Sequence, residues 1–282
     1  MKITTYTFLI IFTCLLTSCN FNFNYPDKVK GEGEIITEQI MLDKFTELQV
    51  ERGWDIILEP SESNYMIVEA NENLFEFFDY ENNTGKLKVS STKQISSADA
   101  KQITIFFTER LVLLKASSGA EVTSKVVLTS DDLLLDVSSG AEIELDLDVA
   151  SLDLETSSGS EAELNVKADD IFVDSSSGSS AELQINAINT KAESSSGSSI
   201  DLEGTTTSFE ASSSSGADID AKSLSSESVT AKASSGSSIS VYPQKNLSAS
   251  TSSGGDVYYY NDPTGRLDLN PSKSGGNIKL KQ

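Results

Sequence analysis

From residue 111 onward, apolar and polar positions alternate in short runs, and the runs recur at a nearly constant interval. Marking each recurrence by its glycine gives Gly119, Gly140, Gly159, Gly178, Gly197, Gly216, Gly236, Gly254 and Gly275, with spacings of 21, 19, 19, 19, 19, 20, 18 and 21 residues. Three residues after each marker stands an apolar side chain: Val122, Ile143, Ala162, Ala181, Ile200, Ile219, Ile239, Val257 and Ile278. Five residues after it the series is Ser124, Leu145, Leu164, Leu183, Leu202, Ala221, Val241, Tyr259 and Leu280, with Ser124 the polar exception. Glu, Asp and Ser dominate the positions between. Alternation with period two describes strands with one buried and one solvated face; a helical repeat would need spacings of three and four.

A second apolar column lies five residues before the marker. It runs Leu114, Leu135, Leu154, Val173, Ala192, Ala211, Ala231, Ala249, is broken at Asn270, and thins from Leu to Ala. Each repeat therefore offers one strand into the glycine and one out of it. A repeat this short buries its apolar face only when neighbours stack on it, which is the logic of a solenoid. The predicted fold is all-β, a right-handed parallel β-helix of about 19 residues per coil, with equivalent residues stacked about 4.8 Å apart. The Ser-Ser-Gly triplet at most markers reads as a corner: Gly supplies the torsions and Ser hydroxyls satisfy local backbone groups. A competing reading makes the stacked serines a hydroxyl strip that recognises a sugar or a crystal-like surface.

Residues 31–110 carry strand patterns with less regular spacing and are expected to cap the N-terminal end of the repeat region, 111–282. Gly53-Trp54-Asp55-Ile56 keeps the interval of three from Gly to an apolar residue. "ENLFEFFDYENNTGKL" predicts a short helix and then a turn at Asn83-Thr84-Gly85, with Phe75, Phe77 and Phe78 large enough to plug an open solenoid end. The N-terminus has Lys2, the apolar run "TFLIIFTCLL", and Leu16-Thr17-Ser18-Cys19, which resembles a bacterial lipobox. Residues 1–18 are thus expected to be a lipoprotein signal peptide, Cys19 the lipidated residue, and 19–30 a tether.

"GEGEIITEQIMLDKFTELQVERGWDIILEP", "KLKVS", "QITIFFTERLVLLKASSGAEV" and the recurring Ser-Ser-Gly coils together resemble the putative auto-transporter adhesin head GIN domain family, domain of unknown function 2807, common among exported proteins of Bacteroidota. The resemblance covers about residues 31–280. It implies a β-solenoid in the cell envelope and an adhesive role, and brings no catalytic residues to transfer.

Composition narrows the chemistry. The sequence has no His, which excludes a Ser-His-Asp triad and removes the usual nitrogen ligand for zinc. The two cysteines fall at positions 14 and 19, one in the signal and one at the lipid site. A net charge of −22 repels nucleic acid and anionic lipid headgroups, so membrane attachment must come from the lipid. Four residues after successive markers stand Glu144, Glu163, Glu182, Asp201 and Asp220. Stacked at coil spacing, neighbouring carboxylates repel by about 1 kcal/mol in water. The plain reading is a solvated acidic face that keeps a repetitive β protein soluble; the sharper one is Ca²⁺ shared between rungs. Tyr258 and Tyr260 are candidates either for sugar stacking or for covering the last coil. The resulting expectation is a non-enzymatic lipoprotein, anchored at the outer membrane, that binds a surface glycan or protein. The alternative is a pectinase-like or lyase-like polysaccharide enzyme, disfavoured by the scarcity of cations such as Arg52, Arg110 and Arg266 to meet an anionic glycan.

Overall fold

The computed structural model describes residues 27–281, so Cys19 and the signal segment lie outside the described residues. Among the described residues strands carry almost all the regular structure; the exception is a single 3₁₀ turn at Glu72–Glu76. Each coil of the repeat region has one strand entering the Ser-Ser-Gly corner and one leaving it, and these stack into two parallel ladders.

The apolar columns are the interior of these ladders. On the leaving side the register runs Val122, Ile143, Ala162, Ala181, Ile200, Ile219, Ile239, Val257, Ile278, each directly opposite the next. On the entering side it runs from Leu114 through Leu135, Leu154, Val173, Ala192, Ala211 and Ala231 to Ala249. Every member of both series but Ile278 is fully buried. The column does not stop at Asn270: Ala249 pairs with Leu269, and Asn270 sits opposite Ser250, because the last coil carries an extra residue before its glycine. Among the described residues no further coil stacks on this one, and Leu280 is 46% exposed.

The thinning to Ala is offset from a neighbouring column. Seven residues before the marker, Leu133, Leu152, Ile171, Thr190, Phe209, Val229 and Leu247 are all buried, and Phe209 fills the interior beside Ala192, Ala211 and Ala231. Thr190 is accommodated because its hydroxyl bonds that of Thr206 at 3.0 Å.

The corners have one local geometry. Ser158 and Gly159, for example, have φ of 56° and 70°, and the Ser160 amide donates to the Ser157 carbonyl at 3.3 Å. Two consecutive left-handed residues closed by such a bond make a type I′ turn, which explains Gly at the second position and a small polar residue at the first. The residue after the glycine points inward. Ser160, Ser198 and Ser237 are buried there, and each hydroxyl donates at 2.7 Å to a carbonyl of the preceding coil: Val137, Ser175 and Ser213 respectively. These serines stitch coils together and leave no buried hydroxyl unpaired.

The N-terminal end departs from chain order. Its strands are β1 (Lys28–Lys30), β2 (Ile35–Met41), β3 (Glu47–Glu51), β4 (Asp55–Pro60), β5 (Tyr65–Asn71), β6 (Phe78–Asn83), β7 (Lys86–Ser91), β8 (Gln94–Ser97) and β9 (Lys101–Phe107). β3 and β4 form a true coil around a corner at Arg52 and Gly53, with φ of 68° and 88°. Leu48 stacks on Leu114 and Ile56 on Val122. β7 and β9 then stack on the far side of β3 and β4. The chain thus builds one coil, steps outward to the cap, and returns past that coil to continue the solenoid. Antiparallel pairs β6–β7, β5–β9 and β2–β5 close the end. Lys28–Lys30, expected in the tether, is strand and pairs in parallel with β8. The plug is also not made of the three phenylalanines alone: Leu74 is the buried residue of the 3₁₀ turn, while Phe75, Phe77 and Phe78 are half-buried. Phe78 meets the buried Trp54 edge-on at 5.3 Å.

Candidate functional site

The outward positions of the leaving strands form a continuous polar surface along the solenoid. Because strand residues alternate faces, burying the columns described above forces the residues between them outward. Glu144, Glu163, Glu182, Asp201 and Asp220 stand opposite one another in consecutive coils, one unbroken column. The column continues through Ser240 and Tyr258 to Lys279, so the structure brings the predicted carboxylate ladder and Tyr258 into a single line. Beside it runs Glu121, Glu142 and Glu161, followed by Ser180 and Ser199. A shallow groove of about 370 Å³ follows this face, lined by Glu144, Glu163, Glu182, Asp201, Asp146 and Glu203.

Crowding has the expected electrostatic effect. The Glu142 carboxyl is pushed above its ordinary value by partial burial and then by Glu121 and Glu161 on either side. Asp201 is pushed up by burial and then by Asp220. Lys222 relieves the end of the ladder through an ion pair with Asp220. Among the described residues no group of three or more carboxylates converges on a point that would hold a metal ion. The column places its carboxylates in a line, so a cation between two rungs meets two side chains, short of the six to eight oxygens Ca²⁺ takes.

Of the tyrosines, Tyr259 is in the core, and Tyr258 and Tyr260 are half-buried on the outside. The Tyr258 hydroxyl donates to Asp256 at 3.2 Å, and the Lys281 ammonium lies 4.6 Å from its ring centroid. Lys281 therefore occupies a face that a sugar would otherwise stack on. The entering strands present a different exterior, with Phe172 under Lys191 and with Asp153 and Asp174, both raised chiefly by burial. One oxygen of Asp153 has no hydrogen-bond partner. In register it lies between Leu134 and Phe172, whose apolar surfaces remove its water.

The family profile of the "Putative auto-transporter adhesin, head GIN domain" matches residues 44–184 and again 163–263. The chain belongs to this family. The overlap of the two matches is what a periodic sequence produces, since one set of coils fits the profile in more than one frame. A crystal structure of a "putative adhesin" from Parabacteroides merdae has a TM-score of 0.67 to this chain at 19% identity, covering 91% of this chain and 100% of the other. A second "putative adhesin", from Parabacteroides distasonis, gives 0.68 at 19% identity over 90% and 100%. A "Putative lipid binding protein" from the same species gives 0.65 at 17% identity over 90% and 100%. At these identities the likeness is one of fold. No curated protein matches the sequence.

Proposed function

We propose that the protein is a cell-envelope lipoprotein, held to the outer membrane through Cys19, whose rigid solenoid presents its register-locked face to a surface glycan or protein without catalysing a reaction. Membership of an adhesin-type family supports envelope association and binding. Among the described residues no helix is long and apolar enough to cross a membrane. In this reading the attachment is the lipid on Cys19, the residue that follows the lipobox-like Leu16-Thr17-Ser18. The observation that carries the binding role is the single outward column from Glu144 to Tyr258, held in register by main-chain pairing across seven coils. Such a surface needs no ordering on binding, which lowers the entropic cost of contact with a repetitive partner.

The polysaccharide-enzyme alternative needs two carboxyl groups with values set apart and the right separation. On this face the two carboxyls displaced upward, Glu142 and Asp201, each stand one strand spacing from another carboxylate, Glu161 and Asp220 respectively, so turnover rather than spacing is what separates the two readings.

Purified protein incubated with a panel of host and plant glycans, with unsaturated and reducing ends monitored, separates the two. Binding without turnover is expected; turnover of any glycan refutes the proposal. Labelling cells with a radioactive fatty acid tests the anchor: incorporation is expected in the native chain and absent in Cys19→Ser, and equal label in both would place the lipid elsewhere.

A further inference from the structure

The first regular coil has a feature that the repeat length already signals. Gly119 and Gly140 are 21 residues apart where the next four intervals are 19. In register, Thr123 pairs with Glu144 and Leu128 with Leu147, so four residues of this coil stand where the next coil has two. The two extra residues fall at Lys125–Val127, where the strand is interrupted and Val126 and Val127 turn out to solvent, 44% and 53% exposed. In the next coil the corresponding wall is continuous strand with Leu145, Leu147 and Val149 turned in. Ser124, the polar exception in its column, also leaves no large side chain over Leu145.

The result is an opening into the core. A cavity of about 260 Å³ reaches inward past Phe107 and Leu114 to Leu135 and Leu145, with Val127 at its mouth and Arg110 on its rim. Its depth is apolar, and apolar cavities stay dry and take apolar guests; one of about 150 Å³ accepts benzene, so this volume suits a chain of about ten carbons. The rim is not apolar. Arg110 holds Asp131 at 2.8 Å, with the two side chains 61% and 85% exposed, and Glu109 is paired with Lys44. An exposed pair of that kind contributes little and exchanges readily, so a ligand carboxylate replaces Asp131 at Arg110 at small cost.

We propose that this cavity binds one medium-length fatty acid, its methylene chain inside and its carboxylate at Arg110. The site is separate from the acidic face, and the proposal stands or falls independently of the adhesive reading. Titration calorimetry of the purified protein with decanoate and with 1-decanol tests it. Saturable one-to-one binding of both is expected. Val127→Trp, an exposed substitution that obstructs the mouth, should weaken both by about tenfold or more. Arg110→Gln should weaken decanoate by about fivefold and leave 1-decanol unchanged. Absence of saturable decanoate binding to protein with its normal melting curve overturns the proposal. So does decanoate affinity that neither substitution alters.

Discussion

Phe209 offers the sharpest test of how the interior is packed. It is 1% exposed, stacks between Thr190 and Val229 in its column, and is flanked by alanines that contribute little volume. Truncation to Ala removes the ring, and the backbone cannot close over the gap because parallel hydrogen bonding to the coils on both sides fixes the strand. A site that cannot collapse falls in the upper part of the range for such changes, so Phe209→Ala should cost about 3–5 kcal/mol. For a domain of this size that corresponds to a fall in Tm of roughly 2–4 °C per kcal/mol. Phe172 is the internal control, since it is the same residue type on the same strand system but faces outward, half-buried under Lys191. Phe172→Ala should cost about 0.5–1 kcal/mol, mostly the cation–π contact. Urea denaturation followed by far-ultraviolet circular dichroism gives both values. A loss below about 1 kcal/mol for Phe209→Ala, or equal losses for the two variants, would refute the assignment of inner and outer columns.

Glu142, Asp153, Asp174 and Asp201 hold their protons more tightly in the folded protein than in the unfolded chain, so together they favour folding as pH falls toward the ordinary carboxylate range of about 4. Glu109, lowered by Lys44, and Asp256, lowered by Asn277, act oppositely and lose their contribution as the pH drops through their depressed values. Tm should therefore be higher at pH 5 than at pH 8 in low salt, and a steady fall across that interval would contradict the reading. Glycine substitutions should separate torsion from collision. Gly178 has φ of 71° with open space where a Cβ would go, so Gly178→Ala costs about 1–2 kcal/mol from the left-handed backbone alone. A Cβ on Gly204 would lie 2.0 Å from the Ile185 carbonyl oxygen, and Gly204→Ala should lower Tm by clearly more. Equal melting shifts would disprove that distinction.

Much of this architecture is legible in the sequence because a solenoid repeats its own evidence. One apolar residue at Gly plus three says little; nine in succession specify a buried ladder, and eight are fully buried. The carboxylate ladder follows for the same reason, since the residues between two inward columns must face out. The inward serines are less legible. Ser160, Ser198 and Ser237 share the face of the inward Gly-plus-three column two residues on, but they resemble the exposed Ser beside them in composition, and a polar residue does not announce an interior position. Phe209 is hidden because its column mixes Leu, Ile, Thr and Val, and a mixed column does not announce itself. The insertion at Lys125–Val127 shows in the spacing as two residues too many, but spacing alone does not say whether they bulge outward or open the wall. The order of the N-terminal coils is not local information at all: β3 and β4 have the right pattern, yet their place between two other coils depends on long-range pairing.

Residues one repeat apart in sequence lie one strand spacing apart in space. Spin labels on outward positions of one column measure this directly. Glu142, Ser199 and Asp256 are in register, with Ser199 three coils and Asp256 six coils from Glu142. Pulsed electron–electron resonance on Glu142→Cys/Ser199→Cys and Glu142→Cys/Asp256→Cys should give backbone separations of about 14 Å and about 29 Å, each as one narrow distribution. Distances that fail to double from the first pair to the second, or broad distributions in either, would contradict the stacked solenoid.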